Sequence, residues 1–155
     1  MKKFLLVVAA VAMVFSFSSC KKNASKYGGT YVGTYQFFKY NSETGTNEQD
    51  GAVQNGKKVP VLQITDDRVQ LYGIIGLDRI SDGQYKTVTS GELAKSLLMM
   101  VGVSEDRAER VKDITFTADF SSSNHLSYTM NYELEILNGL TSVEIHILKF
   151  EGDKQ

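Results

Sequence analysis

His125 and His146 are the chain's whole supply of imidazole. Neither belongs to an H-x-x-H or H-E-x-x-H pair, the spacing that sets two ring nitrogens on one helix face for zinc. No G-x-S-x-G elbow presents a serine nucleophile. No glycine-rich loop opens a helix to cradle phosphate, since Gly28, Gly29 and Gly33 fall in or beside a strand. The sharpest pair for acid–base work is Glu133 with Glu144, because two neighbouring carboxylates can split their pKa values as a glycosidase requires. The plainer reading is a solvated outer face, where water screens the repulsion of directly opposed like charges. The acidic stretch at Asn47, Glu48 and Asp50 lacks EF-hand spacing and reads as a loop. These residues define no catalytic set, no metal site and no cofactor, and the expectation is a protein that is not an enzyme.

The one remaining reactive group is the single cysteine, Cys20. It follows Lys2, Lys3 and an apolar run from Phe4 to Phe17 that holds one hydroxyl and no charge. A cationic n-region, a short apolar core and small residues make a secretory signal peptide. The run is shorter than the roughly 20 residues of a membrane-spanning helix. Three readings fit: a cut signal that leaves a free thiol, an uncut interfacial anchor, or a lipoprotein signal cut before Cys20.

Phe17-Ser18-Ser19-Cys20 resembles the lipobox of bacterial lipoproteins, with Phe17 in place of the commonest Leu. The resemblance implies that residues 1–19 are removed as a signal peptide. Cys20 then becomes the mature N-terminus, bearing thioether-linked diacylglycerol and an amide-linked acyl chain such as palmitate. Each buried methylene adds about 0.8 kcal/mol of membrane affinity, so several chains anchor firmly. Lys21, rather than Asp, follows the cysteine, which in these families implies the outer membrane. The absence of acidic residues from "CKKNASK" favours its periplasmic face over the cell surface. Residues 20–28 then form a lipidated N-terminus and a polar tether.

Without Lys2 and Lys3, 15 of the 17 Lys and Arg residues remain against 18 Asp and Glu. A net charge near −3 suits solubility, and its sign argues against a phosphate-binding surface of the nucleic-acid kind. The remaining length is that of one domain able to bury a core without disulfides; it is placed at residues 29–155.

"GTYVGTYQFFKY" (29–40) alternates and is rich in Tyr, Thr and Phe, a strand signature, with Gly33 marking a bulge, a bend or a close backbone approach. Residues 41–57 are polar and read as a long loop or a weak hairpin. "VPVLQIT" (59–65) and "RVQLYGII" (68–75) flank a tight turn at Asp66-Asp67. In "TSGELAKSLLMMVGV" (89–103), Leu93, Leu97, Met100 and Val101 fall on one helical face, and Thr89 with Glu92 matches a capping box. A polar helical turn is expected over 104–111, after a break at Gly102. "DITFTADF" (113–120), "HLSYTMNYELEIL" (125–137) and "LTSVEIHILKF" (140–150) are strands. Asn138-Gly139 suits a type I′ turn between the last two. That turn sets Leu134 against Val143, Tyr132 against Ile145 and Met130 against Ile147 on the core face. Glu133 and Glu144, and Asn131 and His146, then face solvent.

The predicted fold class is mainly β. It is an antiparallel curled sheet or small lipocalin-like barrel of six to eight strands, with one amphipathic helix inserted between the two halves. "GTYVGTY" (29–35) after an "SSC" signal resembles the lipocalin-like lipoproteins of gut-type Gram-negative bacteria, although the Gly-X-Trp of true lipocalins is absent because the chain has no Trp. The function expected is a lipid-anchored, non-enzymatic binding protein for a small apolar or lipid-like ligand. Phe116, Tyr128, Met130, Tyr132 and Ile145 would line its cavity. The alternative is an envelope accessory subunit, with a filled core, that docks a protein or glycan through its surface. Tyr31, Tyr35, Phe37 and Tyr72 are candidates for an aromatic ligand face, though aromatics at strand spacing are more often core.

Overall fold

The computed structural model describes residues 26–136 and 143–155. The expected signal peptide, Cys20, the tether up to residue 25 and the Asn138-Gly139 turn lie outside them. The described residues form nine strands: β1 (Gly29–Asn41), β2 (Thr46–Gln49), β3 (Gln54–Thr65), β4 (Arg68–Leu71), β5 (Ile75–Ser81), β6 (Gln84–Ser90), β7 (Val111–Ser122), β8 (His125–Glu135) and β9 (Val143–Lys154). Two helices, α1 (Gly91–Met100) and α2 (Glu105–Ala108), stand between β6 and β7. All pairings are antiparallel. The order β1-β3-β4-β5-β6-β7-β8-β9 closes through β1 against β9, so eight strands make a barrel and β2 extends β1 as a short hairpin. Closure removes the open edges that an antiparallel sheet would otherwise expose.

The seam of the barrel depends on glycine. Gly33 of β1 pairs with Gly152 of β9. A Cβ on Gly33 would stand 1.9 Å from the Glu151 backbone oxygen, and one on Gly152 would stand 2.7 Å from that of Val32. The pairing of β1 with β3 also shifts register just after Gly33. Close approach and irregularity therefore coincide there, as the sequence suggested.

One turn differs from expectation. Residues 68–75 are not one strand: Tyr72 (φ 55°) and Gly73 (φ 73°) make a two-residue turn closed by Ile74 N–H donating to Leu71 O at 3.1 Å. Both central residues at positive φ is the type I′ pattern, which usually takes Asn-Gly; Tyr in that place conceals the signal. The turn releases β5, and β6 follows it; the sequence reading missed both strands. Eight barrel strands still lie within the predicted range.

Helix α1 starts later than its capping box implies. Thr89 remains in β6, opposite Ile114, and the N-cap is Ser90 with no side-chain cap bond. The buried face is Ala94, Leu97, Leu98 and Val101, while Leu93 and Met100 are exposed. The expected break at Gly102 (φ 97°) is present as a Schellman motif. Val103 N–H donates to Leu98 O at 2.9 Å, and Gly102 N–H to Met99 O at 3.1 Å. The polar turn that follows is α2. Helix α1 packs on β6 and β7, and α2 packs on α1; together they lie over one end of the barrel, here called the mouth.

The β8–β9 register is one residue away from that expected. Glu135 pairs with Val143, Leu134 with Glu144, Tyr132 with His146 and Met130 with Leu148. A one-residue slip turns every side chain of a strand to the opposite face. His146, Leu148 and Phe150 therefore point inward, while Ile145 is exposed and Glu133 lies opposite it instead of Glu144. Both phases of "VEIHILKF" are rich in apolar residues. The phase adopted also aligns β9 with β1, where Phe150 meets Tyr35 and Leu148 meets Phe37.

Candidate functional site

Four of the five residues expected to line a cavity point into the barrel: Phe116, Tyr128, Met130 and Tyr132 are all buried. Their rings pack on one another and on neighbouring aromatics. The Phe116 and Tyr128 rings lie 4.6 Å apart, Tyr128 stacks on Phe150 at 5.2 Å, and Tyr35 meets Phe150 edge-on at 5.7 Å. An eight-stranded barrel is just wide enough for its own side chains to fill, and these aromatics fill it. Ile145 belongs to the outer face, because the register of β9 turns it away from the interior.

The aromatic face expected from Tyr31, Tyr35, Phe37 and Tyr72 is divided along the barrel. The Tyr35, Tyr72 and Tyr128 hydroxyls form a hydrogen-bonded chain: Tyr35 bonds Tyr72, and Tyr72 bonds Tyr128 at 2.6 Å. Burial is the main reason that the Tyr72 and Tyr128 pKa values lie far above the ordinary phenol value. This bonding also gives Tyr72, strained at positive φ, a structural purpose. Tyr31 lies toward the opposite end, or base. Its hydroxyl donates to Tyr27 O at 3.0 Å, and its pKa is pushed up to about 12 by burial. Phe37 stands at the mouth.

Charged groups also cluster at the mouth. A cleft of about 280 Å³ opens there, lined by Phe37, Asp50, Gln54, Gly102, Val103, Ser104, Arg107 and Tyr132. Each is delivered by a specific element. The end of β1 supplies Phe37, whose carbonyl accepts from Asp50 N–H at 2.8 Å and so holds the start of the β2–β3 loop. The Schellman turn projects Gly102–Ser104 over the opening, and α2 carries Arg107. Arg110 donates to Glu135 O at 3.2 Å, which fastens the end of this helical segment to β8.

Beneath the cleft, His146 is 1 % exposed. Its ring stacks on Tyr132 at 5.3 Å with a 15° interplanar angle. Nε2 lies 3.1 Å from Glu144 Oε2, and Nδ1 lies 3.8 Å from Asp50 Oδ2. Arg107 Nη2 lies 3.4 Å and 3.5 Å from the two ring nitrogens. Near-equal distances place the guanidinium across the ring, not on one nitrogen. Burial lowers the His146 pKa, and the Arg107 charge adds to this against the pull of Glu144 and Asp50. The ring is therefore neutral at neutral pH. The other Glu144 oxygen accepts from Lys39 Nζ at 2.7 Å, and that bond holds the carboxyl below its ordinary pKa. Tyr132 is pushed up to about 12, chiefly by burial.

Of the acidic stretch, Asn47 and Glu48 pair with β1 as part of β2, and only Asp50 reaches the mouth. Glu133 and Glu144 are not partners: Glu133 faces out and Glu144 faces Lys39 and His146. His125 sits at the base beside Asp153, 2.7 Å away. Sequence reasoning missed His146 because the strand phase was inverted. It missed Arg107 because one arginine in a polar helical turn carries no spacing signal.

The fold and this charged opening define a closed, eight-stranded antiparallel barrel of lipocalin-like form with an interior of packed aromatics and a polar mouth. The chain matches no family model, no curated protein and no solved structure.

Proposed function

We propose that this chain is a lipid-anchored lipoprotein of the bacterial envelope, tethered to the outer membrane through Cys20. Its barrel is a non-enzymatic binding module that holds a small ligand at the mouth. The observation that carries the reading is the buried His146 and the charged residues around it beneath an open cleft; the cleft at the base, of about 210 Å³, is backed by the edge-on rings of Tyr27 and Tyr85 instead. Burying ionisable groups costs free energy unless they are paired, and clefts with a few convergent polar groups are the usual form of a small-ligand site. The apolar part of the ligand would rest on Phe37, Val103 and Tyr132.

The lipobox-like residues before Cys20 support the anchor. Mass spectrometry of the mature N-terminus tests it: an acylated Cys20 is expected, and an unmodified Cys20 would contradict it. The binding reading is tested by purifying the full chain from its native envelope in detergent and identifying compounds released only on denaturation. Added back to ¹⁵N-labelled protein, such a compound should shift the amides of Asp50, Gln54, Gly102–Ser104 and Arg107. Shifts confined to Phe116, Tyr128 and Met130 would place the ligand inside the barrel instead.

The accessory-subunit alternative has one specific observation in its favour. Leu93, Met99 and Met100 of α1 are exposed beside the mouth, and apolar side chains clustered on a surface suit a protein contact.

A further inference from the structure

The cleft is lined by one cation and one anion that fail to satisfy each other. Asp50 Oδ2 stands 3.7 Å from Arg107 Nη2, beyond the roughly 3.2 Å limit of a good N–H···O bond. Among the described residues, Arg107 has no carboxylate within hydrogen-bonding distance; its near contacts are the two His146 ring nitrogens. A guanidinium presents five donors in a planar fork that matches a carboxylate in bidentate fashion, and that fork is unfilled here. Asp50 is fixed through its backbone to Phe37 and is about half exposed.

From this we infer that the mouth takes a small zwitterion of the α-amino-acid type. Its carboxylate meets Arg107, its ammonium meets Asp50, and its side chain lies against Phe37, Val103 and Tyr132. The inference rests on the mouth being the binding end. Charge balance separates this class from its neighbours. A ligand bearing only a carboxylate gains Arg107 but sets a second negative charge beside Asp50. A ligand bearing only an ammonium gains Asp50 and sets its charge beside Arg107. The zwitterion alone replaces one stretched ion pair with two charge-assisted hydrogen-bonded pairs, and each mismatched ligand meets a built-in repulsion. Two more polar groups stand ready. Ser104 makes no side-chain cap bond to α2, and Gln54 lines the same opening. The neutral His146 ring beneath Arg107 adds no competing positive charge. A cleft of about 280 Å³ is at the small end of ligand sites, which suits a single amino acid better than a long peptide or an acyl chain.

The test is calorimetric titration of the full chain in detergent with free L-phenylalanine, L-leucine and L-methionine, and with two half-ligands, N-acetyl-L-phenylalanine and phenylethylamine. At least one free amino acid should bind tenfold or more tightly than either half-ligand and should shift the amides of Gly102, Val103 and Arg107. Arg107→Met should weaken that amino acid at least tenfold while leaving phenylethylamine unweakened. Asp50→Asn should do the reverse, sparing N-acetyl-L-phenylalanine, and each variant's amide spectrum reports that the barrel is intact. Equal binding of N-acetyl-L-phenylalanine and L-phenylalanine would overturn the zwitterion, as would failure of all three amino acids to bind. Neither result touches the broader reading, which fails only if the natural ligand maps to the barrel interior.

Discussion

The two ends of the barrel solve the same problem in opposite ways. At the base, the chain closes the opening with rings: Tyr27 stacks on Phe120 at 4.5 Å, and Tyr85 and Tyr31 meet Phe120 edge-on at 5.7 and 5.8 Å. Tyr27 is further fixed by its N–H donating to Gln63 Oε1 at 3.0 Å. Two of these tyrosine hydroxyls find backbone acceptors, Tyr31 donating to Tyr27 O and Tyr85 to Asp66 O, each at 3.0 Å. At the mouth, the chain closes only part of the opening with α1 and fills the rest with Lys39, Glu144, His146, Arg107 and Asp50. An aromatic plug contributes stability through buried area. A charge cluster at best breaks even against its desolvation cost. The difference is one of material: stacked rings close the base beside a cleft of about 210 Å³ that includes Lys26, Asp66, Arg79 and Asp82, whereas the mouth sets a buried histidine among charges beneath a cleft of about 280 Å³.

The largest effect should come from the seam that holds both ends together. Gly33→Ala places a methyl group against the Glu151 backbone, so β1 and β9 must part. The variant should lose its cooperative unfolding transition in circular dichroism; a retained native transition would mean the seam can relax. Next is the base. Phe120→Ala removes the ring shared by Tyr27, Tyr31 and Tyr85 and should cost about 3–5 kcal/mol in a denaturant melt, with the mouth's ligand affinity little changed. In the middle of the barrel, Tyr72→Phe leaves the Tyr35 and Tyr128 hydroxyls without their shared partner. It should cost about 1–3 kcal/mol by the same measurement.

The mouth should reveal itself by pH more than by total stability. The folded His146 pKa is lowered by burial, against about 6.5 in the unfolded chain. Its contribution is therefore complete above about pH 6.5 and lost as pH falls from there toward the folded value. Groups facing the ring are Arg107, Asp50, Glu144 and Tyr132. Glu144 is itself lowered by Lys39 and His146, so its contribution is lost only at more acid pH, in the carboxylate range. Denaturant melts across pH 5–8 should show the loss in wild type and its absence in His146→Phe. The smallest effect should be Lys39→Met. Lys39 is half exposed and its bridge to Glu144 is near the surface, so under about 1 kcal/mol is expected.

Strand existence was legible wherever hydrophobic alternation ran long, as in β1, β7 and β8. It failed at β5 and β6, where "IGLDRIS" and "QYKTVTS" offer few inward apolar residues and the preceding turn is formed by Tyr72-Gly73. The phase of β9 was not legible because both of its faces carry Ile, Leu, Val or Phe. What chose between them was pairing with β1, nearly the whole chain away in sequence. That single ambiguity hid the candidate site: inverting β9 sent His146 to solvent and Ile145 to the core. Arg107 and Asp50 meet only because the Schellman turn at Gly102 and the β2–β3 loop converge, a tertiary fact that no local spacing records. Phe37 and Tyr132, by contrast, were legible as inward aromatics, and both line the cleft.

The most direct test of a filled barrel with a working mouth is a crystal of the protein pressurised with xenon, which occupies apolar voids and leaves packed cores alone. We expect no xenon among Phe116, Tyr128, Met130 and Phe150, and any bound atom to sit at the mouth against Phe37, Val103 and Tyr132. Xenon inside the barrel, between Phe116 and Met130, would contradict this and restore an apolar interior site.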